Sequence, residues 1–140
     1  MRNIVDSILA SRGFWLLARI LLAVVFVSSG LAKLLDFEGG MAEMRKAGLA
    51  PEALFNAATI ALLLGGSALL LLDRALWLGA AALAVFLALT IAIVHRFWAL
   101  PEPQAMLALY VALEHVSVIG GLFAAAVASH LRTRLRAARA

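Results

Sequence analysis

Residues 105–128 read AMLALYVALEHVSVIGGLFAAAVA, an apolar run that carries a carboxylate at Glu114 and an imidazole at His115. About 20 such residues suffice to cross a hydrocarbon core of about 30 Å as a helix. Helical spacing puts Tyr110, Glu114, Ser117 and Gly121 on one stripe, because steps of three, four and seven residues return to the same face. His115 points about 100° away from that stripe. An ionisable side chain at bilayer depth costs at least about 2.5 kcal/mol and should face protein or water rather than lipid. The Glu114 stripe is therefore expected to face inward, and the rest of the chain must supply a partner.

The remaining sequence agrees with a membrane protein. Its 140 residues are 65% hydrophobic, with a mean hydropathy of +1.02, which is more apolar surface than a domain of this size hides in one core. Cysteine is absent, so the chain holds no disulfide, thiolate metal site or thiol relay. No metal site is expected. The net charge of +4 could suggest nucleic acid, but the arginines gather next to a hydrophobic span, where positive charge reports topology and anionic lipid. No nucleic-acid partner is expected.

The pattern predicts an all-α fold, a transmembrane four-helix bundle. Residues 1–12 place Ile4, Val5, Ile8 and Leu9 on one face and predict a short interfacial helix. A signal-peptide reading is set aside because the following run has about full spanning length and no well-placed small-residue cleavage site. The bundle, residues 13–128, has spans at about 13–35, 53–72, 75–95 and 105–128, and residues 129–140 form a basic tail. Gly39-Gly40, a short helix Met41–Ala47 and Gly48 link the first two spans; Pro51-Glu52 starts the second. Asp73-Arg74 permits an antiparallel hairpin, and Pro101-Glu102-Pro103 breaks the chain before the fourth span. Ala61, Gly65, Gly66 and Ser67 in the second span, and Ser117, Gly120, Gly121, Ala124 and Ala125 in the fourth, are expected to allow close helix approach.

Four spans put both termini on one side. Eight basic residues fall there (Arg2, Arg12, Arg19, Arg74, Arg132, Arg134, Arg136, Arg139) against four on the other (Lys33, Arg45, Lys46, Arg96), which predicts cytoplasmic termini. Arg19 is expected to snorkel to a headgroup layer. By helix order and direction, Lys33, His95 and Glu114 fall in the same outer half. Lys33 and Glu114 are expected to form an ion pair, with His95 as hydrogen-bonding neighbour and His115, Ser29 and Tyr110 within the same region. One reading makes this pair a register-fixing element. The other makes Glu114, His115, His95 and Lys33 candidate catalytic groups, accepting protons beside a quinone held near Tyr110, Glu114, His95 and Trp98. Bis-histidine haem ligation by His95 and His115 is a weaker alternative, and no covalently bound cofactor is expected.

Several pieces in order resemble the DoxX family of small four-helix bacterial membrane proteins. They are Arg19-Ile-Leu-Leu with Phe26, Gly30-Leu-Ala-Lys33-Leu-Leu-Asp36-Phe37, Ala47-Gly48-Leu49-Ala50-Pro51, Leu64-Gly65-Gly66-Ser67-Ala68-Leu69, His95 with Phe97-Trp98, and Val118-Ile119-Gly120-Gly121-Leu122. The resemblance implies a bacterial inner-membrane protein linked to thiosulfate-to-quinone electron transfer or to assemblies that handle oxidative stress. Two positions depart from that pattern: Leu62 stands where many members carry glutamate, and His115 where asparagine is usual. The expected function is a subunit or accessory of a membrane redox system, with protein partners and compatible with a homo-oligomer. A non-catalytic scaffold is the alternative, and a small-solute transporter a third reading, disfavoured because four spans leave little room for alternating access. Whether the protein is an enzyme stays open.

Overall fold

Six α-helices and one 3-10 turn carry residues 2–138 in the computed structural model. Met1, Arg139 and Ala140, at the two ends of the expected interfacial helix and tail, lie outside the described residues. The helices are α1 (Arg2–Ala10), α2 (Arg12–Leu35), α3 (Phe37–Lys46), α4 (Glu52–Leu72), α5 (Leu76–Ile93) and α6 (Gln104–Ala137), with the 3-10 turn at Phe97–Ala99. No strand occurs among the described residues, and four segments are long and apolar enough to cross a membrane: Arg12–Leu35, Glu52–Leu72, Leu76–Ala99 and Gln104–Ala137.

Local chemistry sets the breaks. Ser11, in extended conformation, accepts from the Phe14 amide at 3.1 Å and so starts α2 afresh after α1. Asp36 ends α2 and caps α3, its carboxylate accepting from the Gly39 amide at 2.9 Å. Gly48, at φ +75°, supplies the left-handed residue that stops α3. The reversal into α5 is made without glycine: Asp73 (φ 55°) and Ala75 (φ 46°) both sit in the left-handed region. After Ala128 no glycine or proline interrupts a run rich in alanine, leucine and arginine, so α6 continues through the expected tail to Ala137.

Around the bundle α2 packs on α4, α4 on α5 and α5 on α6, while α6 meets α2 more lightly. Phe26, Leu63, Leu70, Leu76, Leu83 and Leu122 are fully buried between them. Helix backbone comes close at α4–α5, where a Cβ on Gly79 would lie 2.8 Å from the Gly66 carbonyl oxygen and one on Gly66 2.8 Å from Leu83 Cγ. Gly66 and Ser67 serve packing as expected; Ala61 and Gly65 face outward.

The orientation of α6 differs from expectation. Its inner line runs through Ala108, Ala112, Leu122, Ala125 and Ser129, with His115 half-buried on the same side. Tyr110, Glu114, Ser117, Gly120 and Ala124 are exposed, so the Glu114 stripe faces away from the bundle, and of the expected close-packing residues Gly121 and Ala125 turn inward. The small side chains of Ala108 and Ala112 let α5 approach, and that contact rotates Glu114 outward.

The Gly66–Gly79 contact gives a direct check. Gly79→Val should place a branched side chain against backbone and lower stability by about 1–3 kcal/mol. Gly65→Val, on the open side of α4, should change it little. Thermal unfolding of the detergent-solubilised variants measures the difference.

Candidate functional site

At the loop end of the bundle the expected cation is already engaged. Lys33, in the last turn of α2, pairs with Glu43 on α3, ten residues away. The Lys33–Glu114 ion pair is therefore not formed; α3 folds back over the end of α2 and brings its own carboxylate to the ammonium. The neighbouring Arg45 Nη1 lies 3.0 Å from Glu52 Oε1 and ties α3 to the start of α4. Asn56, fully buried on α4, donates through Nδ2 to the Phe37 carbonyl at 3.3 Å and packs against Gly40, where a side chain would collide with it. Sequence reasoning gave Glu43 and Asn56 no role, although a lone amide in an apolar span and a carboxylate in a short polar helix were visible signals.

The two span histidines do come together. Their rings meet edge to face, with centroids 5.1 Å apart, because His95 follows the end of α5 and His115 sits on the α5-facing side of α6. The 3-10 turn packs on α6, with Phe97 and Trp98 in edge-to-face contact at 5.0 Å. Trp98 (61% exposed) and Tyr110 (58%) face outward nearby in sequence and fold order. Ser117 satisfies its hydroxyl on the Leu113 carbonyl at 3.0 Å. Glu114 forms neither an ion pair nor a side-chain hydrogen bond among the described residues.

A second polar constellation occupies the terminal end, and it links α2, the end of α4 and α6. Arg19 is 8% exposed inside the bundle rather than snorkelled to a headgroup layer. It donates to the Leu70 and Leu71 carbonyls at 3.3 and 2.8 Å and to the Trp15 carbonyl at 3.3 Å, sharing the Leu70 oxygen with the Asp73 amide and supplying a donor to the Leu71 oxygen at the C-terminus of α4. Asp73 accepts from Trp15 Nε1 at 2.8 Å and from Ser129 Oγ at 2.6 Å. Arg19 also lies over the Trp15 ring, 5.3 Å from its centroid. Burial pushes the Asp73 carboxyl up, but the hydrogen bonds from Ser129 and Trp15, with the charges of Arg19 and Arg136, outweigh it and hold the group below the usual carboxylate range. Sequence reasoning treated Asp73 as a turn residue; the Trp15/Arg19 spacing of four on a common face was the available signal.

Comparison with known families decides the relationship. The DoxX family model matches residues 14–96, more than half of the chain. The chain belongs to the DoxX family. No curated protein and no solved structure matches it significantly. The matched segment of this DoxX-family protein takes in Trp15, Arg19, Lys33, Asp73 and His95; Glu114, His115 and all of α6 lie beyond it.

Because the Asp73 carboxyl is depressed in the folded protein, its stabilisation is present above its unfolded value of about 3.9 and is lost as pH falls through the folded value. Asp73→Asn should cost about 1–3 kcal/mol, because its one carbonyl oxygen leaves one of the two donors without an acceptor and the other on a neutral one. It should also remove part of the fall in melting temperature expected as pH drops below about 4. Paired melting curves of wild type and variant across that range check both statements.

Proposed function

We propose that this DoxX-family membrane protein is an accessory subunit of a membrane redox assembly, docked to a membrane-spanning partner through the outer face of α6. Glu114 is the observation that carries the reading. It lies in the outer half of a spanning helix, exposed and without a polar partner among the described residues, in line with the small residues Ser117, Gly120 and Ala124. Leaving such a side chain in lipid costs at least about 2.5 kcal/mol, and a partner helix that brings a donor removes that cost. The small residues give the partner backbone room to approach. A second copy of the chain is one candidate occupant. The positive-inside asymmetry favours cytoplasmic termini, and the family resemblance a bacterial inner membrane.

The redox part rests on His95 and His115 and on the family resemblance. Adjacent imidazoles at the loop end suit a quinone headgroup, since an imidazole N–H can donate to a carbonyl oxygen and a neutral ring nitrogen can accept a proton. A bound quinone would supply the electron chemistry; the chain's part is to orient the headgroup and take up a proton. Engagement of Lys33 by Glu43 favours the scaffold alternative, because it leaves Glu114 with no cation of its own chain for a proton relay.

Native electrophoresis of solubilised membranes, run beside quinone-linked electron transfer, separates these readings. Glu114→Leu should release the subunit from its assembly, and unchanged migration sinks the docking face. His95→Phe combined with His115→Phe should preserve assembly and reduce quinone-linked turnover at least tenfold, in the range by which a positioned acid–base group usually contributes. Full turnover in that variant makes the protein a scaffold.

A further inference from the structure

Guanidinium groups converge at the terminal end of the bundle without matching carboxylates. Arg12 opens α2, Arg132 and Arg136 stand one turn apart on α6, and with Ala10 and Leu135 they line a cavity of about 310 Å³. Arg132 is fixed in place: Nη1 donates to the Leu9 carbonyl at 3.3 Å, and Nη2 donates to those of Ala10 and Ser11 at 3.1 and 3.2 Å. Its guanidinium lies 5.6 Å from the Trp15 ring centroid, and its Nε is buried without a hydrogen-bond partner. The two ion pairs among the described residues, Lys33–Glu43 and Arg45–Glu52, are both at the opposite end. The carboxylate that feels Arg136 is Asp73, and both its oxygens are already engaged by Trp15 and Ser129.

Depth and surroundings narrow the ligand. From Gln104 to Arg132 α6 rises about 42 Å, beyond a hydrocarbon core of about 30 Å and within a bilayer of about 40–45 Å that includes its headgroup layers. With the α5–α6 turn at one surface, Arg132 reaches the headgroup layer of the other. On the same side α1 exposes Ile4, Val5, Ile8 and Leu9, and α6 exposes Leu131 and Leu135, apolar side chains suited to the upper part of acyl chains.

We propose that the Arg12–Arg132–Arg136 cavity is a binding site for the phosphate of an anionic phospholipid. Guanidinium forks match phosphate oxygens, and an excess of positive charge disfavours a headgroup that carries its own ammonium. The site acts independently of the proposed redox role: a lipid held there joins α1 to the end of α6.

Native mass spectrometry of the full chain in neutral detergent tests the assignment, titrating phosphatidylglycerol, phosphatidylcholine and inorganic phosphate separately. Phosphatidylglycerol should bind at least tenfold more tightly than phosphatidylcholine. Each surface arginine contributes roughly a fivefold factor, so Arg12→Gln with Arg136→Gln should weaken phosphatidylglycerol about 25-fold. Arg45→Gln, at the opposite end, should leave it unchanged. Circular dichroism must show the double variant as helical as wild type; Arg136→Gln alone, expected to lose about fivefold, serves if it is not. Equal binding of the two lipids, or undiminished phosphatidylglycerol binding by the folded variants, overturns the site. Inorganic phosphate that displaces the lipid at equal concentration overturns the lipid assignment in favour of a soluble anion.

Discussion

Close to the hydrocarbon little water reaches the last carbonyls of a spanning helix, so donors from the chain itself are favoured there. Arg19 supplies them for α4. Its guanidinium reaches across from α2 to the Leu70 and Leu71 carbonyls, and Asp73, one residue beyond the end of α4, receives Trp15 from α2 and Ser129 from α6. One polar node therefore fixes the α4–α5 hairpin against both outer spans. A buried guanidinium is tolerated because carbonyl oxygens surround it, the Trp15 face lies beside it and the Asp73 charge is close by. Leu70 and Leu76, on either side of the hairpin, are fully buried once that node is set.

The opposite end is built differently. There α3 lies across α2 and α4, held by Lys33–Glu43, by Arg45–Glu52 and by Asn56 against Gly40 and Phe37. These contacts serve α2 and α4 and leave α6 attached mainly to α5. Most of the α6 circumference is consequently open, and the carboxylate on it, Glu114, has no partner among the described residues. Of the charged side chains within the spans, Arg19 and Lys33 are engaged by the chain itself, whereas Glu114 faces outward. That outward carboxylate is the basis of the proposed docking face.

The four spans were legible because their apolar runs have bilayer length and are separated by Gly39-Gly40, Asp73-Arg74 and Pro101-Glu102-Pro103. The rotation of α6 was not. Both of its faces carry small residues, Ala108 and Ala112 on one and Ser117 and Gly121 near the other, so periodicity alone could not choose the packed side. The choice is made by α5, whose partner surface is tertiary information. The same ambiguity misassigned Lys33, since two carboxylates were within reach by depth and the loop helix delivered the nearer one. The His95–His115 meeting was accessible from helix direction, because one ends an outward span and the other lies early in the inward one.

The orientation of α6 is open to direct measurement because the chain has no cysteine, so each introduced cysteine is the single labelling site. Nitroxide labels placed singly from Ala108 to Val127, in nanodiscs holding one chain each, report collision with dissolved oxygen at every position. Accessibility should peak at Glu114, Ser117, Gly120 and Ala124 and fall at Ala108, Ala112, His115 and Leu122. The opposite phase, with Glu114 shielded and His115 open to lipid, would contradict the outward carboxylate on which the docking face depends.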